Sequence, residues 1–588
     1  MRLKTNYEVG EIPHAEHPCP QAMRKNWLCL NGKWSFCKID ANGEPAFEGE
    51  ILVPFSPESL LSGVGEKFRL KSGETLLYER TVLFDRAFLL GVTLLHFGAV
   101  DYECEVYING EKAGGHRGGY TPFAVDISPF ARMGENEIKI VCTDEGTRNG
   151  GARGKQSDKH GGIWYTPQSG IWQTVWLESM PKRHIEPFKI FTDAAAKTVK
   201  ITHLPPPSEE FELETDSPEN EITVFDNGVE ILRAKYRDEI VFSYDFELWS
   251  PEHPKLYDFI ITNAAGDEVR SYFGVRTFGK MRDKKGRARL TLNGKPYFFH
   301  GILDQGYWSD GMLTYPSDQA ALDELTLLKR MGFNTVRKHI KLEPMRWYYH
   351  CDRLGLIVWQ DFVNGGGKYK FSHIALLPFL GFKHRDDDYK FFSRESAVER
   401  AEFYVTADET VNALFNCVCI ALWTPFNEGW GQFDSEAVAE HVSKKDPTRL
   451  IDSVSGWHDQ GKKKTTFKSM HTYYTRLKVP RDPRPVVLSE FGGYSLKCVG
   501  HVFNESKEFG YKTFDTANEL AQALQKLYIE KLLPLIGRGL CAAIYTQVSD
   551  VEEEINGLVT YDRKILKVPI ELMSSISVAL KTAADKIE

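Results

Sequence analysis

The sequence predicts three domains in series: a jelly-roll β-sandwich, an immunoglobulin-like β-sandwich and a C-terminal (β/α)8 barrel. Three observations predict it. At 588 residues the chain is too long for one hydrophobic core. Up to residue 278 it reads as short alternating strands broken by Gly-rich and Pro-rich turns, with no long amphipathic helix. From Gly279 onward short apolar runs alternate with helical patterns, the texture of a parallel sheet wound with helices.

The first domain is expected over residues 1–182. "LNGKWSFCKI" alternates and stops at "DANGEP". Asn109-Gly110 lies between two alternating runs, the signal of a tight hairpin. "NEIKIVCTDE" and "IWQTVWLES" are further strands, and many short strands with Gly turns suit a jelly roll. The second domain, 183–278, continues with "HIEPFKIFTD", "KTVKITHLP", "EITVFDN", "KLYDFIITNA" and "SYFGVRTFG" around a Pro-rich loop, "LPPPSEE". In the third, 279–588, the strands are "YFFHGIL", "FNTVRKH", "LIVWQD", "CVCIALWT", "RLIDSVS", "SMHTYY", "PVVLSEF" and "GLCAAIYT". "DQAALDELTLLKRMG" and "EPMRWYYHCDRLG" between them are helical, the second stopped by Gly355. Long loops follow the third and seventh strands, at the end of a barrel where functional loops lie.

Composition narrows the function. Hydrophobic content of 42%, charged content of 26% and net charge −8 describe an ordinary soluble protein with no basic domain for nucleic acid. The short run Lys462-Lys463-Lys464 reads as a solvated loop. No apolar run is long enough for a membrane span, and no leader pattern opens the chain. Ten Cys without a CxxC suit a reducing compartment, with Cys417 and Cys419 read as core residues. A cytoplasmic location is the expectation. Partners are expected to be a carbohydrate substrate, with no nucleic acid and no membrane; a homo-oligomer is compatible.

A barrel gathers its C-terminal strand ends at one mouth. This chain places Asp304-Gln305, Arg337 and His339, Trp359 and Asp361, Asn427-Glu428, His471 and Tyr473, Glu490, and Tyr545 and Gln547 at those ends. Two Glu on strands four and seven, with cationic and aromatic surroundings, suit glycoside hydrolysis, which needs one protonated and one ionised carboxyl. Singly, each residue has a plain structural reading: Arg337 with Asp361 as an ion pair, His339 and His471 as hydrogen-bonded histidines, a Glu as a surface charge.

The same motifs resemble those of glycoside hydrolase family 2, which comprises β-galactosidases, β-glucuronidases and β-mannosidases. "RKNWLCLNGKWSF", "GGYTPFAVDIS", "SGIWQTVWLE", "FGVRTF", "LNGKPYFFHGILDQGYW", "GFNTVRKHIK", "WTPFNEGWG" and "LSEFGG" carry the likeness along nearly the whole chain. The resemblance implies that Glu428 is the general acid/base and Glu490 the nucleophile. It implies that Asn427 holds the sugar 2-hydroxyl, Tyr473 donates to Glu490 and Arg337 is the charge partner of Glu490. It makes Asp304 and Asp361 candidates for sugar hydroxyls, and His471 and Tyr545 are grouped with the substrate-binding residues. The loop "DFVNGGGK" lacks the Glu and His of the family's magnesium site, so no metal and no cofactor are expected. "INGLVTYDRK" lacks the Asn-x-Lys that reads a uronic acid. The expected activity is a retaining exo-β-glycosidase, most simply β-galactosidase-like. The alternatives are a β-mannoside, β-glucuronide or arabinoside glycone, or a catalytically silent carbohydrate-binding protein.

Overall fold

The computed structural model describes residues 3–65, 67–146, 150–204, 219–460 and 463–587. The Pro-rich patch at 205–210 and Lys462 lie outside the described residues. The N-terminal region is a sandwich of a six-stranded and a four-stranded antiparallel sheet. Trp34, Phe36, Tyr78 and Phe97 fill its core. The hairpin at Asn109-Gly110 forms as its dipeptide requires: both residues take positive φ, 52° and 85°, and join strands Glu103–Ile108 and Glu111–Arg117. A second sandwich of three and four strands follows, packed around Phe242, Phe246, Tyr257 and Phe273. Two of its strands, Val229–Tyr236 and Glu239–Ser243, went unread in the sequence. Both are largely exposed, so neither shows the clean alternation that a half-buried strand prints in its sequence. The first helix among the described residues begins at Asp318.

All eight barrel strands occur where the apolar runs place them. They are β1 Phe299–Asp304, β2 Thr335–Lys338, β3 Ile357–Asp361, β4 Ile420–Thr424, β5 Leu450–Ile451, β6 Lys468–Thr472, β7 Val486–Gly492 and β8 Leu540–Thr546. They form one parallel sheet in the order β5-β4-β3-β2-β1-β8-β7-β6. The seam lies between β5 and β6, where Thr466 N–H donates to Ile451 O at 2.7 Å without a strand ladder. Among the described residues no helix joins β5 to β6 or β6 to β7, so the helical ring is incomplete there. The helix Met345–Leu354 ends at Gly355 in the left-handed conformation, φ 71°. A Cβ at Gly355 would also meet the Pro251 backbone of the second sandwich at 2.7–3.1 Å. All ten cysteines are unpaired. Among the described residues no helix is long and apolar enough to cross a membrane.

Candidate active site

Strand parity decides which side chains face the barrel interior. The register pairs Leu303 with Arg337 and Arg337 with Trp359, and Trp359 packs on Phe299 and Phe467 inside the barrel. Arg337, His339 and Asp361 therefore share the inner face at the mouth. The Arg337 guanidinium donates to Asp361 from Nε at 3.0 Å, to Asn427 Oδ1 at 2.8 Å, and to Glu490 Oε1 and the Ser489 carbonyl at 3.1 and 3.0 Å. Asp361 also takes His339 Nδ1 at 2.7 Å. Both Asp361 oxygens are thus committed to protein partners. Burial pushes His339 down to about 4, leaving it neutral.

Glu428 reaches the mouth by a local device. Pro425 ends β4, and Phe426–Asn427 then pairs with Val454–Ser455 as a second short parallel ladder. Glu428 N–H donates to Ser455 O at 3.0 Å, Glu428 itself is left-handed at φ 51°, and Gly429 continues at φ 77°. A non-Gly residue in that region costs of order 1–3 kcal/mol, and such residues cluster at functional sites. Glu490 is placed by a different device. The ladder of β7 slips at Ser489 against β6 and across Ser489-Glu490 against β8, a bulge that re-aims the carboxylate.

His471 bridges the two acids. Its Nδ1 lies 2.6 Å from Glu428 Oε1, and its Nε2 lies 3.0 Å from Ser455 Oγ and 3.5 Å from Glu490 Oε1. Gly456, at φ 83°, makes room for the ring, because a Cβ there would meet it at 2.7 Å. Single atoms of Glu428, His471 and Glu490 all lie within 4.8 Å of one another. Such a trio can in principle ligate a cation, but Glu428 is already engaged by Nδ1 and Nε2 by Ser455. Tyr473 O–H donates to Glu490 Oε2, and the Tyr473 ring stacks on Tyr511 at 3.7 Å.

The two carboxyls are driven apart. Burial raises Glu428 and the charge of Glu490 adds to the rise, while the hydrogen bond and charge of His471 oppose it; the net direction is upward. Burial would also raise Glu490, but the positive charges of His471 and Arg337 and the Tyr473 hydroxyl outweigh it and lower Glu490 to about 2. One acid with its proton affinity raised beside another whose ionised form is favoured is the pairing needed for proton donation and nucleophilic attack at a single carbon.

Two expected site residues are not brought here. Asp304 pairs in register with Lys338 on the outer face of the sheet, where Lys338 Nζ lies 2.5 Å from its carboxylate and 4.4 Å from the Trp347 ring. Tyr545 also faces outward, among Phe491 and Tyr528. Its neighbour Thr546 faces the site instead, 3.2 Å from the Tyr473 hydroxyl. Trp423 points into the helical layer and donates to Asp446 at 2.9 Å, whereas Trp430 stands 5.9 Å from His339 at the site. The sequence reading missed Thr546, Ser455, Ser489 and Tyr511. Period-two parity would have chosen Thr546 over Tyr545; nothing local marks the others.

Models of three domain families match in series. "Glycosyl hydrolases family 2, sugar binding domain" matches residues 64–181, "Glycosyl hydrolases family 2" matches 184–276, and "Glycosyl hydrolases family 2, TIM barrel domain" matches 283–518. A putative beta-glucuronidase of Formosa agariphila is 29% identical over 279 residues, 45% of this chain and 32% of that protein. A beta-galactosidase of Thermoanaerobacter pseudethanolicus is 23% identical over 441 residues, 72% of this chain and 53% of that protein. The chain thus spans about a third to a half of the length of these curated relatives. The solved structure of a beta-glucuronidase from an uncultured Clostridium sp. shares the fold, with TM-score 0.71, 16% identity and coverage of 99% of this chain and 100% of that one.

Proposed function

The chain belongs to glycoside hydrolase family 2, and from that premise we propose that it hydrolyses terminal β-glycosides with retention of configuration. The observation that carries this reading is the spacing of the acids, with oxygens of Glu428 and Glu490 within 4.8 Å. Retaining enzymes hold the two carboxyls about 5–5.5 Å apart, whereas inverting ones leave about 6.5–9.5 Å for a water.

In the first step Glu490 attacks the anomeric carbon while the bond to the leaving oxygen breaks. Glu428 gives its proton to that oxygen. An ester to Glu490 forms and the aglycone departs as an alcohol. In the second step Glu428, now ionised, takes a proton from water, and the resulting hydroxide displaces Glu490 from the same carbon. Two inversions give net retention. Arg337 and Tyr473 stabilise the carboxylate of Glu490 as it leaves. The Nδ2 of Asn427, buried and without a protein partner, suits a hydroxyl beside the reacting carbon.

The galactoside reading of the glycone rests on the missing lysine after β8. At that place Asn556 is tied to Glu554 and Gln547 at 2.9 and 2.7 Å, so it is not free to read a sugar. A neutral hexoside such as a β-galactoside is one reading; an acidic one is taken up below. The mechanism is tested by two variants. Glu490→Ala is expected to lose all turnover, whereas Glu428→Ala keeps activity on nitrophenyl glycosides, whose leaving group departs without a proton. Azide is expected to rescue Glu428→Ala as the β-glycosyl azide; an α product from that variant would reverse the two roles.

A further inference from the structure

The first sandwich sends one segment into the barrel mouth. Arg153 N–H donates to Asn364 O at 2.9 Å, and the Arg153 guanidinium donates to the carbonyls of Gly366 and Gly367 in the loop after β3. Gln156 Nε2 donates to Asp101 and to the Tyr120 hydroxyl, each at 2.8 Å. Between these anchors sits Lys155, only 6% exposed. Its ammonium lies 4.7 Å from the ring centre of Trp430, 5.8 Å from Tyr165 and 5.9 Å from Trp164. Trp430 follows Glu428 by one glycine, and the Lys155 charge acts on both Glu428 and His339.

A cation held among aromatic rings keeps its full charge until a ligand brings an anion to it. Among the described residues no carboxylate reaches Lys155 within ion-pair distance and no acceptor takes its protons. Three aromatic faces hold the cation without neutralising it. The surroundings are rich in unused donors: Trp430 Nε1 and Asn427 Nδ2 are both buried without a partner. A hydroxyl would give the ammonium one neutral hydrogen bond. A carboxylate would neutralise the charge and accept from more than one donor, and charge-assisted bonds are about twice as strong.

We propose that Lys155, supplied by the N-terminal sandwich, reads a carboxylate on the sugar, so that the glycone is a uronic acid. This rests on the retaining-glycosidase reading above. It also replaces the expectation that a uronide is disfavoured, which considered only the loop after β8.

The test uses the full chain and two matched pairs of 4-nitrophenyl substrates: β-glucuronide with β-glucoside, and β-galacturonide with β-galactoside. Wild type is expected to prefer the uronide in at least one pair. Lys155→Met should lower the uronide-to-neutral ratio of kcat/KM by about 100-fold, the scale of breaking a buried charge pair. Lys155→Arg should keep most of the preference. The inference is overturned if wild type prefers the neutral member of both pairs, or if Lys155→Met lowers both members of a pair equally. The wild-type ratio decides the matter even if the variants fold poorly. Retaining hydrolysis of neutral sugars with no uronide preference would defeat this inference alone. Failure to hydrolyse any of the four in a Glu490-dependent way would defeat the underlying reading as well.

Discussion

Glu428 and Glu490 share one side-chain chemistry, and their surroundings push their proton affinities in opposite directions. Glu490 is lowered to about 2 because His471, Arg337 and Tyr473 favour its ionised form more than burial opposes it. Glu428 is raised because burial and the charge of Glu490 outweigh His471. The reaction needs Glu490 ionised and Glu428 protonated. Activity should therefore appear above the Glu490 pKa and fall as pH rises through that of Glu428. Tyr473→Phe removes a donor that favours ionised Glu490, so the acid limb of kcat/KM should move to higher pH. A hydrogen bond to a charged group is worth about 1.5–3 kcal/mol, a shift of about one to two pKa units. The alkaline limb should stay in place. An unmoved acid limb would show that Tyr473 does not bear on the charge of Glu490.

The elements were more legible than the residues they present. Most barrel strands are short apolar runs, and all eight were placed from the sequence, although Thr335–Lys338 and Lys468–Thr472 are largely polar. Facing was harder, because it turns on single-residue parity. Asp304 and Tyr545 sit at strand ends but on the outer face, while Thr546, one residue on, faces the site. The bulge at Ser489 and the second ladder at Phe426–Asn427 leave no local signature, since both depend on what neighbouring strands offer. The two motif acids were picked out by their motifs, and the fold brings them together; His471 was named, but its bridging of both acids follows only from the fold. Gly355 was read correctly as a helix stop, and the structure adds a second demand on it. Gly355→Ala must hold a left-handed residue and push back the Pro251 backbone. Left-handed backbone alone costs about 1–2 kcal/mol for a non-Gly residue, so urea denaturation should show at least that loss. Gly355→Asn, which tolerates the dihedral but not the contact, should be destabilised too. Full stability in Gly355→Asn would mean that the contact with Pro251 carries no cost.

At the scale of the whole molecule the site is shared between domains. The barrel supplies the two acids and their charge partners. The first sandwich supplies Lys155, and Tyr165 from the same sandwich donates to Glu554 in the loop after β8. The second sandwich backs the barrel through Trp249, whose Nε1 donates to Asp352 O at 2.8 Å, and through Tyr272, whose hydroxyl donates to Asp352 Oδ2 at 2.9 Å. The intact chain is therefore the unit that the mechanism describes. Its central claim is that the sugar passes through an ester on Glu490. The most direct measurement is peptide mass mapping of the full chain after reaction with a 2-deoxy-2-fluoro β-glycosyl fluoride of the preferred glycone, which slows release of the intermediate. The expected result is one sugar per chain, attached to Glu490 within Val486–Gly492. A label on Glu428, or no label together with an α-configured first product, would contradict it.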